Sequence, residues 1–493
     1  MARLSRSRLA TLVVGILIAA CGAPLDLGDG TDGAGDGTAD GSSLDVVGAD
    51  SVTSDAPPGD TPPPGDAPPP GDATPPGDAG SWMPPNETGM VTFPYRPYRC
   101  DYSIRSVAPS VTTATFDSDM SGAAPRVRNL HLSFAGDPST TVVVSWSTDD
   151  ATRTSQVRFG DAMDRLDRVA RGFSFTYSGA TGRRQHEVHL CGLLPGRTYF
   201  YDAGGAADRS AVHRFVTAPA DASDVTILVL GDSRTGVATW RAVAARALGV
   251  GADVMVMSGD AVDLGSSQAQ WDALFEGAPE LFATVPGIFA HGNHEGLSDV
   301  YFAQFAFPDN GGTRGLEEWF ELRYGPMSLY VLNDTPRTSA DIGAQTSFLR
   351  ASLGALDRAR FPFAVALHHK PMYTTSSSHS SETTTRGAWA PEFDRSRVQL
   401  DLTGHVHSYE SSRPLRGGTA SSVGSVVADA MGTRFIAYGG AGAPLYGFGA
   451  TQPWIQLRES VHGYAVMNVT ATMLTWDAFR SDGSRIETIR APR

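Results

Sequence analysis

The sequence predicts an α/β domain at the C-terminal end of the chain, preceded by an all-β sandwich and, before that, a disordered acidic linker. Three observations carry the prediction. Residues 126–217 hold seven short alternating runs separated by turn residues. Beyond Pro219, continuous apolar runs alternate with helical stretches, the mark of a parallel sheet buried on both faces. Residues 22–92 offer little apolar surface and repeat Pro, Gly and Asp. With 493 residues, enough for about three average domains, and 41% hydrophobic content, most of the chain can bury a core.

The N-terminus reads as an address. Arg3, Arg6 and Arg8 precede the apolar run Leu9 to Ala20, and Cys21 follows. As a helix that run spans about 18 Å against a hydrocarbon core of ~30 Å, so it is a secretory signal and not a membrane span. Ile18-Ala19-Ala20-Cys21-Gly22 resembles a bacterial lipobox. That implies cleavage before Cys21, a lipid on that residue, and an extracytoplasmic chain anchored to a membrane, at its periplasmic face or the cell surface. Residues 21–92 then form a tether holding thirteen Asp or Glu and no Lys or Arg. Its Pro-Pro-Gly-Asp repeats over Pro57–Asp78 favour extended polyproline II. With so much of the −14 formal charge confined there, residues 93–493 are close to neutral, which excludes a basic surface for nucleic acid.

After a lead-in over 93–125, the sandwich occupies 126–218. Its expected strands are Val127–Phe134, Thr141–Trp146, Gln156–Phe159, Phe173–Tyr177, His186–Leu190, Thr198–Tyr201 and Val212–Val216. Leu194-Pro195-Gly196-Arg197-Thr198-Tyr199 resembles the loop into the tyrosine corner of fibronectin type III domains, which places Trp146 and Tyr199 in the core. No titratable cluster marks this part, so it reads as a structural module. Cys100 and Cys191 are the two thiols available to pair in an oxidising compartment.

In the α/β domain, 222–493, five strands end on polar groups. Val225–Leu230 runs into Gly231-Asp232, and Asp253–Met257 into Ser258-Gly259-Asp260. Gly287–Ala290 runs into His291-Gly292-Asn293-His294-Glu295, Phe363–Leu367 into His368-His369, and Val398–Leu402 towards Gly404-His405-Val406-His407. Helices are expected over Val237–Leu248 and about 344–358, and Phe435–Tyr438, Tyr464–Val469 and Met473–Ala478 read as antiparallel strands. Ligands of open α/β sheets bind at the carboxyl edge, where such loops converge. Carboxylates, an Asn carbonyl and imidazoles without thiolate suit Fe, Mn, Zn or Mg. Six donors exceed one tetrahedral site, so the pattern implies two metal ions, divalent or mixed-valence, sharing a carboxylate. Two such ions about 3.5–4 Å apart activate water for an in-line phosphoryl displacement.

On these motifs residues 126–493 resemble purple acid phosphatases, members of the calcineurin-like metallophosphoesterases with a fibronectin-like N-terminal domain. The resemblance implies a four-layer α/β/β/α sandwich. It implies that Asp232 and His407 bind the first metal, that Asp260 bridges, and that Asn293, His369 and His405 bind the second. It implies that His294 protonates the leaving oxygen or orients phosphate. His369, two before Pro371, fits the family's His-x-Pro better than His368, and adjacent strand residues face opposite sides. His379 stands where the family places a substrate-side histidine, or is a loop histidine in solvent. Arg234 faces the substrate phosphate or is a structural surface arginine, the second being the better reading.

Two departures bear on the first metal. The family's Gly-Asp-x-x-Tyr ends here in Asp263, which removes the tyrosinate behind the purple colour, and the family's Asp-x-Gly, or His in place of Gly in other branches, reads Asp232-Ser233-Arg234. Arg has no lone pair to offer, so the first site is one ligand short unless Asp263 or water fills it. The expected activity is acid-phosphatase-like hydrolysis of small phosphate monoesters. The alternatives are a phosphodiesterase acting on nucleotide or lipid head-group diesters, and a non-catalytic surface binding module. Loops 301–315 and 374–390 are where specificity is expected.

Overall fold

The computed structural model describes Trp82 and residues 85–312, 317–336 and 338–493. The signal segment, Cys21 and most of the tether lie outside the described residues. No helix among the described residues is long and apolar enough to cross a membrane.

The sandwich has a six-stranded and a four-stranded sheet. In the first, the order is Met90–Val91, Ala114–Phe116, Phe173–Phe175, Arg183–Cys191, Thr141–Asp149 and Arg128–Ser133. In the second it is His213–Val216, Thr198–Ala203, Gln156–Gly160 and Arg168–Arg171. All seven expected strands are present, and Arg168–Arg171 is an eighth that its three Arg or Ala positions concealed. The segment read as tether and lead-in contributes two more, because Met90–Val91 pairs with Ala114–Phe116 and that strand pairs with Phe173–Phe175. The ordered chain therefore begins before residue 93. Thr141–Asp149 is central, and its β-branched Val142, Val143 and Val144 and its Trp146 are fully buried. Tyr199 is buried too, and Leu194 N–H donates to its hydroxyl at 2.9 Å. Cys100 and Cys191 are joined in a disulfide across a sequence separation of 91 residues.

The C-terminal part holds two mixed sheets. One has the order Gly287–Phe289, Val254–Met257, Val225–Leu230, Gly463–Val469, Met473–Arg480 and Arg485–Pro492. Its first three strands are parallel and its last three antiparallel. The other has the order Phe320–Tyr324, Met327–Val331, Phe363–Leu367, Leu400–Thr403, Arg434–Tyr438, Tyr409–Ser412 and Ile455–Glu459. One hairpin is added here and one expectation is corrected in part. Phe320–Tyr324 and Met327–Val331 form a hairpin not read from the sequence, since Glu321, Arg323 and Ser328 break the apolar run. Arg434–Tyr438 is parallel to Leu400–Thr403, because a separate strand, Tyr409–Ser412, intervenes in the chain and takes the antiparallel position. The helix expected at 344–358 spans Ser339–Ala355, started by a capping box between Thr338 and Asp341. The expected specificity loops overlap the helices Asp299–Gln304 and Thr383–Ser396.

The parallel strands all point their carboxyl ends one way, and those ends carry the polar motifs. Interiors such as Phe363-Ala364-Val365-Ala366-Leu367 have no exposure at all, which is why each reads as an unbroken apolar run. Burying a Leu or Val of this kind contributes roughly 1.5–3 kcal/mol, so the sheets are rigid supports for what hangs from their ends.

Candidate metal centre

Each site residue leaves its strand through a sharp turn. Asp232, Asp260 and His405 have φ of +56°, +52° and +65°, a left-handed conformation that costs a non-glycine residue free energy and is retained where function needs the direction it gives. The neighbouring glycines are required by crowding. A Cβ on Gly292 would stand 2.3 Å from the Asp260 amide nitrogen, and one on Gly404 2.2 Å from Asp232 Oδ2.

Four of the six expected ligands converge on one point. His369 Nε2 lies 3.2 Å from Asp260 Oδ1, 3.0 Å from Asn293 Oδ1 and 3.2 Å from His405 Nδ1. Its other nitrogen donates to the Ser258 carbonyl at 2.8 Å, so Nε2 is the nitrogen turned to the cluster. A carboxylate, an amide oxygen and two imidazole nitrogens thus face one another, an arrangement that needs a cation or a proton between them. Among the described residues, Asp260, His369 and His405 bring their donor atoms within 4.8 Å of one another. The donor chemistry fits a borderline or hard divalent ion.

The electrostatics agree. Burial opposes a charge on His369, but Asp260 and then Asp232 and Asp334 outweigh it and push its pKa up to about 10. Burial would raise Asp260, yet His369 and the His294 N–H, 3.0 Å from Oδ1, hold it well below the usual carboxylate range. Burial and then the neighbouring His369 and His379 push His405 down to about 3, leaving it a neutral ligand. Asp260, Asp232 and Asp334 thus gather negative charge around His369.

The other two expected ligands sit alongside. His407 Nε2 is 3.3 Å from Asp232 Oδ1, and His407 Nδ1 donates to the Pro444 carbonyl at 2.7 Å. Asp232 accepts the His405 N–H on both oxygens. Here Arg234 intrudes. It is not the surface residue expected, for its side chain is only 13% exposed. Its Nη1 donates to Asp263 Oδ1 at 2.7 Å, its Nη2 is 3.4 Å from His407 Nε2, and its Nε is 3.5 Å from Asp260 Oδ2. Asp263 therefore engages a guanidinium, and the donor set at this first position does not fit a second metal as it stands.

His294 donates from Nδ1 to the Asp263 carbonyl at 2.8 Å, which leaves Nε2 facing Asp260 Oδ2 at 3.7 Å, with the ring partly open to solvent. His379 belongs to the site, since its ring centroid is 4.0 Å from that of His405. His368 turns away, to Asp334 Oδ2 at 2.8 Å and Asp401 Oδ1 at 2.9 Å. Sequence reading missed several supports. Glu295 accepts the N–H groups of Asp260, Ala261 and Gly292 at 2.8–3.0 Å, tying two ligand loops together, and its place beside Asn293-His294 was the available signal. Asp334 accepts the His369 N–H at 3.0 Å. Tyr446 stacks on His407 at 4.0 Å, from a Gly-rich loop without any pattern to announce it.

Comparison with known proteins gives the same picture. Residues 127–217 match the purple acid phosphatase N-terminal domain, and residues 225–409 match the calcineurin-like phosphoesterases. Purple acid phosphatase 21 of Arabidopsis thaliana is 26% identical over 66% of this chain and 78% of its own. Purple acid phosphatase 18 of the same plant is 28% identical over 60% of this chain and 69% of its own. The structure of a purple acid phosphatase from yellow lupin seeds superposes with a TM-score of 0.62 at 17% identity, covering 75% of each chain, which shows a shared fold.

Proposed function

We propose, from the premise that this chain belongs to the calcineurin-like phosphoesterases of purple acid phosphatase type and is a metal-dependent phosphoester hydrolase, that its substrates are phosphate monoesters. The observation that carries the reading is the convergence of Asp260, Asn293, His369 and His405 beside the free Nε2 of His294. A cation held by those four would polarise a water towards phosphorus and draw charge from the phosphoryl oxygens.

The chain's own residues do the rest. His294, its Nδ1 proton committed to the Asp263 carbonyl, can hold a second proton on Nε2 and release it to the departing alkoxide. Arg234 and His379 face the same space and can hold the oxygens of a dianion, which a monoester carries and a diester does not. Glu295 and Asp334 fix the loops, so that the geometry is set before substrate arrives.

The proposal extends to place. A lipid on Cys21 and the acidic tether would hold the enzyme at an extracytoplasmic membrane face. The Cys100–Cys191 disulfide supports an oxidising compartment.

Asp260→Ala and Asn293→Ala should each lower turnover of an aryl phosphate by at least about 10³-fold, the scale of removing a metal ligand from a metal-activated water, while the circular dichroism of the fold persists. A bis-aryl diester measured in parallel should turn over more slowly. Undiminished turnover in both variants would falsify the site assignment, and a faster diester would make the enzyme a phosphodiesterase. Neither turnover nor metal uptake in the parent chain would leave a non-catalytic binding module.

A further inference from the structure

We infer that the site holds one metal ion, and that the guanidinium of Arg234 takes the position and the charge of the other; the inference rests on the phosphoesterase reading above. The donors expected at the first position are Asp232, Asp260 and His407. Arg234 reaches two of the three, with Nε 3.5 Å from Asp260 Oδ2 and Nη2 3.4 Å from the lone pair of His407 Nε2. His407 offers that lone pair because its other nitrogen donates to Pro444. The guanidinium is thus coordinated as a cation would be.

Asp263 fixes it there. Standing where the family has its tyrosine, it accepts from Nη1 at 2.7 Å, so the two departures from the motif are one exchange: a metal-binding phenolate for a carboxylate, and a glycine for an arginine that pairs with it. Tyr446 stacks on the His407 ring at 4.0 Å. Arg234 Nε is buried and faces Asp260 Oδ2 as an ion pair without a hydrogen bond. A divalent ion placed beside this group would meet a positive charge at a few ångströms. The second position has no such intruder, and its Asp260, His369 and His405 converge within 4.8 Å.

The test is metal content of the full chain equilibrated with Mn²⁺ and then dialysed, read by elemental analysis and electron paramagnetic resonance. One Mn per chain with the spectrum of an isolated ion is expected. Arg234→His, which trades the cation for a ligand, should take up two and show an exchange-coupled spectrum. Two ions in the parent chain together with aryl phosphate turnover overturn this inference and leave the phosphoesterase reading standing. One ion in both proteins also overturns it, since Arg234 would then not be what excludes the second. No ion and no turnover in the parent would remove both readings.

Discussion

Side chains alternate along a strand, and at the end of Phe363–Leu367 that alternation separates two adjacent histidines. His369 turns Nε2 towards Asp260 and Asn293, while His368, without exposure, bridges Asp334 and Asp401 on the opposite face. Burial opposes a charge on His368, but Asp401 and Asp334 prevail and push its pKa up to about 10, so it is an imidazolium between two buried carboxylates. His368→Gln leaves those carboxylates without their cation and should cost about 3–5 kcal/mol, read as a lowered urea midpoint. His369→Ala should bind no metal. Equal midpoints for His368→Gln and the parent would refute the buried-ion reading. The choice between these histidines was legible, because His-x-Pro spacing and strand alternation both bear on it. Arg234 was legible only in type: a motif tells which residue stands at a position and not how deep its side chain lies. Asp334, Asp401 and Tyr446 were invisible, since each acts through a neighbour brought near by the fold.

Strand Arg183–Cys191 carries a titratable group that no site needs. His186 is fully buried, stacked on Trp146 at 4° and 5.0 Å, with Thr148 Oγ1 and Ser155 Oγ at 2.7 and 2.9 Å from its two nitrogens. Burial, helped by Arg184, pushes its pKa from 6.5 down to about 3. In the unfolded chain the imidazole takes a proton near pH 6.5, and in the folded one it does not. Its contribution is therefore complete above that pH and is lost as pH falls towards 3, at ~1.4 kcal/mol per pH unit. Between pH 7 and 4.5 the loss should reach about 2–3 kcal/mol, measured as a falling urea midpoint of the sandwich signal. His186→Asn should flatten that dependence, and an unchanged slope would show that other groups set it. Period-two alternation marked the strands of this sheet, and continuous apolar runs marked the parallel ones, because one or both faces are buried. The hairpin of Phe320–Tyr324 and Met327–Val331 was lost where Glu321, Arg323 and Ser328 interrupt the signal. The parallel sense of Arg434–Tyr438 depends on which strand lies beside it, and pairing leaves no mark on a single strand's composition.

Across the described molecule, the sandwich is more than a spacer ahead of the metal centre. Tyr201, without exposure, donates from its hydroxyl to the Ala283 carbonyl at 2.7 Å, and Tyr177 to Gln268 Oε1 at 2.6 Å. His131 stacks on Phe275 at 4.6 Å. Asp272, on the helix Gln268–Gly277, accepts from Asn129 Nδ2 at 2.6 Å and pairs with Arg183. That helix and its successor Pro279–Thr284 follow the strand Val254–Met257, whose end bears Asp260, and lead into the strand that delivers Asn293. The sandwich therefore braces the segment between the shared carboxylate and the amide ligand. Sequence reading separated the two parts by their different periodicities and treated the first as a module; it could not see the joint, because the residues forming it lie about 80 to 170 positions apart and belong to patterns already explained by their own strands. A chain starting at residue 222 would uncover Phe275 and Phe305 where His131 packs on them and deprive Asp272 of Asn129 and Arg183, which predicts aggregation or a stability lowered by several kcal/mol, on the scale of large apolar side chains returned to water. The same loss should appear at the metal: any fraction of the shortened chain that stays monomeric should bind Mn²⁺ more weakly than the full chain, since the Asp260 and Asn293 loops lose their brace. A monomeric 222–493 fragment that matches the full chain in both unfolding midpoint and Mn²⁺ affinity would mean that the joint is contact without consequence.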